Sequence, residues 1–548
     1  MRTHAPRTSA IVATALAALL ALPAASSGPE ANATIVGDVT PVAHFPGIGG
    51  SEVDSDGERY LFAGQANLRD DLNRQNVEEG QHGGLRIIDL DTMSVVGELA
   101  CPGTDNYVRY LDPEVYNTPA GDREYVVMAH HGNLCTADAL ADDPNTRPAY
   151  GGFNGVMVVD VTDKTVPSIV SLVGHDSAHT VMPHPTRPYL YILPGGLANG
   201  TNVDTGRVSP TGIVDLSDPL EPRYVQAFEH NAQGCHDLGF SHDGDHAFCA
   251  GLGEVQVWDI AGDAIEDPNV VGTIVNPAIQ FAHNAVVSPS GRYLAINDEA
   301  FGFHTCSGEA ADLYGSLWIY DISVPELPLL AGRIAPPDHP DDQGFGTLYD
   351  AGPINGWADS WCAAHNYNWV PGNDDVIVAS WFAGGITAHD ISNLLAPELI
   401  AHYMPEDGVA WSGHYYAGYL VTNDMVRGVE VLDAPEVRAA DPTWSAPEEP
   451  GRPGRPDQPG RPDQPGRPDQ PGRPDQPGRP DQPGQAGPSG RSVTTSLSGV
   501  PTDASAVAAL PRVDRSALLL PEVLPARPEA PRQPGFGGGF CVLPGRPA

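Results

Sequence analysis

Five histidines stand at matching places in a repeating chain, and their chemistry sets the first question about it. They are His179 in SAHTVMPHPT, His236 in GCHDLGFSHD, His283 in FAHNAVVSPS, His365 in AAHNYNWVPG and His414 in SGHYYAGYL. Each opens a short β-type run. Neutral imidazoles that converge from neighbouring repeats are suited to Zn, Cu or Fe. Carboxylates that accept the second ring N–H would complete such a site; Asp237, Asp298, Glu299 and Asp424 are placed for it. The competing reading is structural: homologous repeats carry the same polar residue, and a histidine there bonds a neighbouring repeat's backbone and seals a tunnel mouth. Equivalent positions in the two earlier repeats are Asp112 and a glycine near Gly50.

The elements that position these residues come from an internal repeat, an apolar run ending in Asp and followed by a Pro-containing turn. It reads GGLRIIDL at Asp89, NGVMVVDVTDKTVP at Asp160, TGIVDLSDPLEP at Asp215 and EVQVWDIAGDAIEDP at Asp259. GSLWIYDISVPELP at Asp321, GGITAHDISNLLAP at Asp390 and GVEVLDAP at Asp433 bring the copies to seven. The closest spacings, 43 and 44 residues, match one four-stranded propeller blade. Each unit divides into runs rich in Val, Ile, Tyr and Trp, bounded by Gly, Pro, Ser or Asp, with no sustained helical period. The expected fold is all-β, a single seven-bladed propeller over residues 34–447. The last unit lacks a fourth strand, and Thr34–Gly47 supplies one, latching the ring shut.

The third-strand motif with its terminal Asp resembles the LVIVD-repeat family of surface propellers, over residues 34 to about 435. That resemblance implies fold, not a chemistry. The stretch HNYNWVPGNDDVIVASWFAGGITAHDIS, from His365 to Ser392, resembles one blade of the selenium-binding protein family, which includes copper-dependent methanethiol oxidases. The shared elements are His365, Trp381, Gly385 and His389–Ser392, and the resemblance implies His365 as a ligand.

Arg2 and Arg7 precede an apolar run from Ile11 to Leu22, with small residues after it. This reads as a secretory signal peptide over residues 1–33, too short to span a bilayer. The expected location is extracellular, where disulfides form. Of seven cysteines, six fall into sequential pairs, Cys101–Cys135, Cys235–Cys249 and Cys306–Cys362, with Cys541 alone. The chain carries a net charge of −41; residues 34–447 hold 58 Asp and Glu against 15 Lys and Arg, with Lys164 the sole lysine. Such a surface repels nucleic acid and anionic membranes and suits cations, basic partners or a salty milieu. From Arg455 to Gly484 the hexamer RPDQPG runs five times. At ~3.1 Å per residue in polyproline II this linker (448–487) reaches roughly 90 Å. Residues 488–548 read as a disordered tail.

No G-x-S-x-G, P-loop, H-E-x-x-H or EF-hand pattern occurs, which leaves hydrolase, kinase and zinc-protease readings without local support. The long insertions, near 66–82, 129–154, 196–210, 300–314 and 335–362, belong to one face of a propeller, as does the histidine ring. Two functions are expected from these features. The first is an extracellular module binding a protein, glycan or small ligand through the loop-bearing face. The alternative is a metal-dependent oxidoreductase built on the histidine ring.

Overall fold

A computed structural model describes residues 33–445, apart from shorter gaps and the stretches 66–82, 102–107, 133–152, 196–200, 301–313 and 338–361. The chain divides into two units, Met1–Pro450 and Gly451–Ala548, and everything described belongs to the first. The signal segment, the Pro-rich linker, the tail, Cys135, Cys306, Cys541 and most of the long insertions lie outside the described residues.

Seven antiparallel sheets follow one another along the chain, six of four strands and one, blade six, of five. Their strands run in sequential order except the outermost strands of blades six and seven, which come from the N-terminus. Blade one holds Gly50–Ser55, Tyr60–Gln65, Gly83–Asp89 and Ser94–Cys101; blade five holds Ala282–Val287, Tyr293–Asp298, Leu317–Asp321 and Leu329–Ile334. The first strand of each blade is innermost, and the inner strand of blade seven (Ala410–Tyr416) packs back against that of blade one. The only helical pieces among the described residues are Gly262–Ile265 and Pro435–Ala439.

Apolar residues on both faces of each blade pack against the next, so the core is seven inter-blade layers. Phe62, Leu85 and Ile87 of blade one meet Val126, Met128 and Met157 of blade two, and Ala43, Phe45 and Val421 of blade seven meet Val53, Leu61 and Ile88 of blade one.

The repeated Asp has a local structural task. Asp89, Asp160, Asp215, Asp259, Asp321 and Asp390 each accept a hydrogen bond of 2.8–3.0 Å from the backbone N–H two residues on. This Asx turn starts the bend into the outer strand. In blade seven that residue is Pro435, which has no N–H, and Asp433 pairs with Arg438 instead. The motif therefore marks a turn common to the blades, not a binding site.

The N-terminal segment closes the ring as expected, with an addition. Thr40–Pro46 pairs with Gly428–Asp433 as the outer strand of blade seven and carries the register shift seen in every other outer strand. Ala33–Val36 is a separate strand, the fifth of blade six, paired with Glu398–Pro405. Gly37, at φ +77°, lets the chain step between blades, and a Cβ there would fall on the carbonyl oxygen of Ile400. Cys235 and Cys249 form a disulfide with Cα atoms 5.5 Å apart, and Cys362 is disulfide-bonded.

Candidate metal centre

The inner strands bring four of the five histidines into one contiguous row. Ring centroids are 4.4 Å apart for His179 and His236, 4.3 Å for His236 and His283, and 4.1 Å for His283 and His365. All four are buried. The Cys235–Cys249 disulfide anchors the approach to His236 across the first hairpin of blade four.

His414 is not the fifth member of this row. In blade five Ala282 pairs with Asp298 and the register then jumps past His283; in blade seven Ala410 pairs with Asp424 and the jump passes Trp411. Trp411 thus occupies the ring position, with its ring 4.4 Å from that of His365. His414 lies three residues farther along and stacks on Tyr416 at 5.2 Å. The turn after the inner strand explains the displacement: blade five spends Ser288–Arg292 there, whereas blade seven spends Ala417–Gly418. Asp112 is displaced likewise. Arg109 pairs with His131 and Asp112 with Ala129, so Asp112 matches Ala285, two residues past the ring.

The hydrogen bonding of the ring fits ligands better than plugs. His365 Nδ1 lies 2.6 Å from the carbonyl oxygen of Trp411, and a carbonyl only accepts, so Nδ1 carries the proton. Its buried Nε2 is then a lone pair with no partner. His236 is bonded to the backbone of His283 and leaves Nδ1 unpartnered; Nδ1 of His283 is unpartnered too. One nitrogen anchored and the other bare is the arrangement of a metal-binding imidazole. Burial pushes His236, His365 and His414 down to about 3, and His283 well below the usual imidazole value, so these rings are neutral at physiological pH.

A carboxylate completes the set. Glu299 Oε2 lies 3.9 Å from His283 Nε2. His236, His283 and Glu299 each offer one ligand atom, all within 4.8 Å of one another. They are the only described residues that meet as such a group of three. Burial, then the adjacent Asp298, raises Glu299 to about 8, so a bound cation would displace its proton. The other carboxylates expected around the ring serve elsewhere. Asp298 accepts from the backbone N–H groups of Gln280, Phe281, Ala300 and Gly315. Asp424 accepts from those of Val426 and Arg427. Asp237 belongs to an acidic group on the tunnel axis.

Histidines away from the ring position are partly buried structure. His130, His175, His184 and His402 are buried. His184 reaches Gly244 O in the next blade at 2.8 Å, and His242 reaches Ser288 O at 2.7 Å. These residues clasp neighbouring blades at the hairpin end, a signal hidden in the paired HPT and SHDG turns. In blade six Trp381 Nε1 donates to Thr387 Oγ1 at 2.6 Å, and Gly385 has φ +73°. Both shape the strand pair rather than a ligand site.

No family model and no curated protein matches the chain. Among solved structures it is similar to the β-propeller domain of Myceliophteria thermophila Cps50 (Swd1), at 11% identity and TM-score 0.45, covering 72% of this chain and 98% of that one. It is also similar to a chain of the mitotic checkpoint complex, at 12% identity and TM-score 0.44, covering 75% and 99%.

Proposed function

We propose that the propeller is an extracellular binding module whose ligand is a transition-metal ion held by His236, His283 and Glu299. The observation that carries this reading is the trio of ligand atoms within 4.8 Å of one another, where the buried rings of His236 and His283 each have a bare ring nitrogen. Two imidazoles and one carboxylate suit Zn or Fe, with Cu also compatible with the nitrogen-rich ring. Secretion rests on the basic start and apolar run at the N-terminus, and an N-terminal sequence of the exported chain beginning near Ala25 or Ala33 would support it. The LVIVD-type repeat agrees with a surface protein whose loops meet a protein, glycan or small ligand.

The test is elemental analysis of the full chain purified without chelator or affinity histidines, beside His236→Ala and Glu299→Gln variants. Near-stoichiometric Zn, Fe or Cu in the native chain and its loss from both variants is the expected result. A metal-free native chain that takes up none of these ions on titration would overturn it. A metal-dependent oxidoreductase is the second reading, favoured because three protein ligands leave coordination positions open. It requires oxygen consumption by the metal-loaded chain with reduced thiols or other donors.

A further inference from the structure

Five carboxyl groups from three inner strands lie close to one another beside the histidine row, without a basic partner among the described residues. Glu52 and Asp54 come from the inner strand of blade one, Asp112 and Glu114 from that of blade two (Val108–Asn117), and Asp237 from that of blade four (Asp237–Phe240). Several are held in place by hydrogen bonds. Asp54 accepts from Val115 N at 2.8 Å, Asp112 from Val181 N at 2.9 Å and Asp237 from Leu238 N at 2.6 Å. Trp411 Nε1 donates to Glu52 Oε1 at 2.9 Å. No ion pair joins any of the five to Lys or Arg among the described residues. Burial raises Glu52, Asp54, Asp112 and Glu114 above ordinary carboxylate values, and repulsion from neighbouring carboxyls adds to the effect for Glu52, Asp112 and Glu114.

A second observation points to a ligand. Asn366, more than nine-tenths buried, directs its amide at this group and donates through Nδ2 to Glu52 Oε2. Beside a cation Glu52 is ionised and accepts only, which sets the amide's orientation. Its Oδ1 is therefore a buried acceptor beside the carboxylates, and it has no hydrogen-bond partner. Asn284, which follows His283 as Asn366 follows His365, also has a buried, unpartnered Oδ1. Unsatisfied oxygen acceptors next to carboxyl groups that have no basic partner are what a bound cation would satisfy, displacing the carboxyl protons.

We infer that Glu52, Asp112, Asp237 and Asn366 form an axial oxygen-donor site for a hydrated divalent cation of the Mg²⁺ or Ca²⁺ class. Oxygen-only donors select hard ions over the transition metals that imidazole prefers. These oxygens do not meet as closely as the histidine trio, so the ion keeps part of its water shell and reaches some of them through it. The site offsets the repulsion among carboxylates from blades one, two and four, and through Asn366 links them to blade six. It does not depend on the histidine trio holding metal.

The test uses the full chain stripped of divalent ions by chelation and then held in high monovalent salt, so that general screening is saturated. MgCl₂ and CaCl₂ are titrated separately by calorimetry, with Tm followed in parallel. Saturable binding of at least one ion with a rise in Tm is expected. The Glu52→Gln/Asp112→Asn double variant and the Glu114→Gln single variant are expected to melt above the wild type when ion-free, because repulsion is relieved. The double variant should bind at least tenfold more weakly. His283→Ala should retain the Mg²⁺ or Ca²⁺ response, which separates this site from the imidazole ring. Absence of saturable binding to the wild type would overturn the inference. So would undiminished affinity in the double variant, or ion-free variants that melt below the wild type.

Discussion

At the scale of single residues, position along the inner strand decides what a histidine can do. His283 sits between two other rings and beside Glu299, whereas His414 lies three residues past the ring position. Alanine at His283 is expected to weaken metal binding at least tenfold, as loss of a ligand does. The same change at His414 should leave metal content unaltered; competition with a chromophoric chelator measures both. The five-histidine pattern was legible in the sequence because the blades repeat. The misplacement of His414 was not, because a turn three residues shorter slides the register without changing the local wording. Asp424 carries a second expectation at this scale. Burial raises its carboxyl to about 7 in the folded protein, against 3.8 for the free side chain. The folded state therefore holds a proton that the unfolded state releases between about pH 4 and pH 7. Its contribution to stability is full below this window and is lost as pH rises through it. Asp424→Asn should flatten that part of the stability profile, seen as a smaller fall in denaturation midpoint between pH 5 and pH 7.

At the scale of elements, the ring closure is where the fold is most exposed to small changes. The outer strand of blade seven is borrowed from the N-terminus, and Phe45 fills the layer between blades seven and one. Phe45→Ala should cost about 3–5 kcal/mol by emptying that layer. Gly37 is a separate weak point, because the left-handed φ and the carbonyl of Ile400 both oppose a Cβ. Gly37→Ala should cost roughly 1–3 kcal/mol, read from urea midpoints. The latch strand itself could be read from residues Thr34–Gly47, since the last repeat visibly lacked a partner. Its division into two strands on two blades could not. Only the three-dimensional offset between blades six and seven demands a break at Gly37, and neither flanking run differs in composition from one continuous strand. The Asx turns show the opposite case: the repeated Asp was the clearest sequence signal, yet its task is local hydrogen bonding.

At the scale of the whole molecule, charge sets the conditions in which this architecture is most stable. The propeller segment holds 58 acidic against 15 basic residues. Many of the described bases are already committed locally: Arg59 to Asp89 and Asp91, Arg123 to Asp160, Arg223 to Asp215 and Glu266, Arg292 to Asp321, and Lys164 to Glu124. Such pairs, mostly exposed, contribute little each. What remains is a large excess of carboxylates whose repulsion acts over a Debye length, about 10 Å at 0.1 M salt and about 3 Å at 1 M. Screening should weaken this repulsion more than it weakens the few short pairs. The melting temperature is therefore expected to rise by several degrees as NaCl increases from about 0.05 M to about 1 M. A fall over that range would mean that the Arg–carboxylate pairs dominate. The axial carboxylates should respond differently, because they are largely withdrawn from solvent and screened less by mobile ions. A further Tm increase on adding Mg²⁺ or Ca²⁺ after the NaCl response has levelled off would separate a bound cation from general screening.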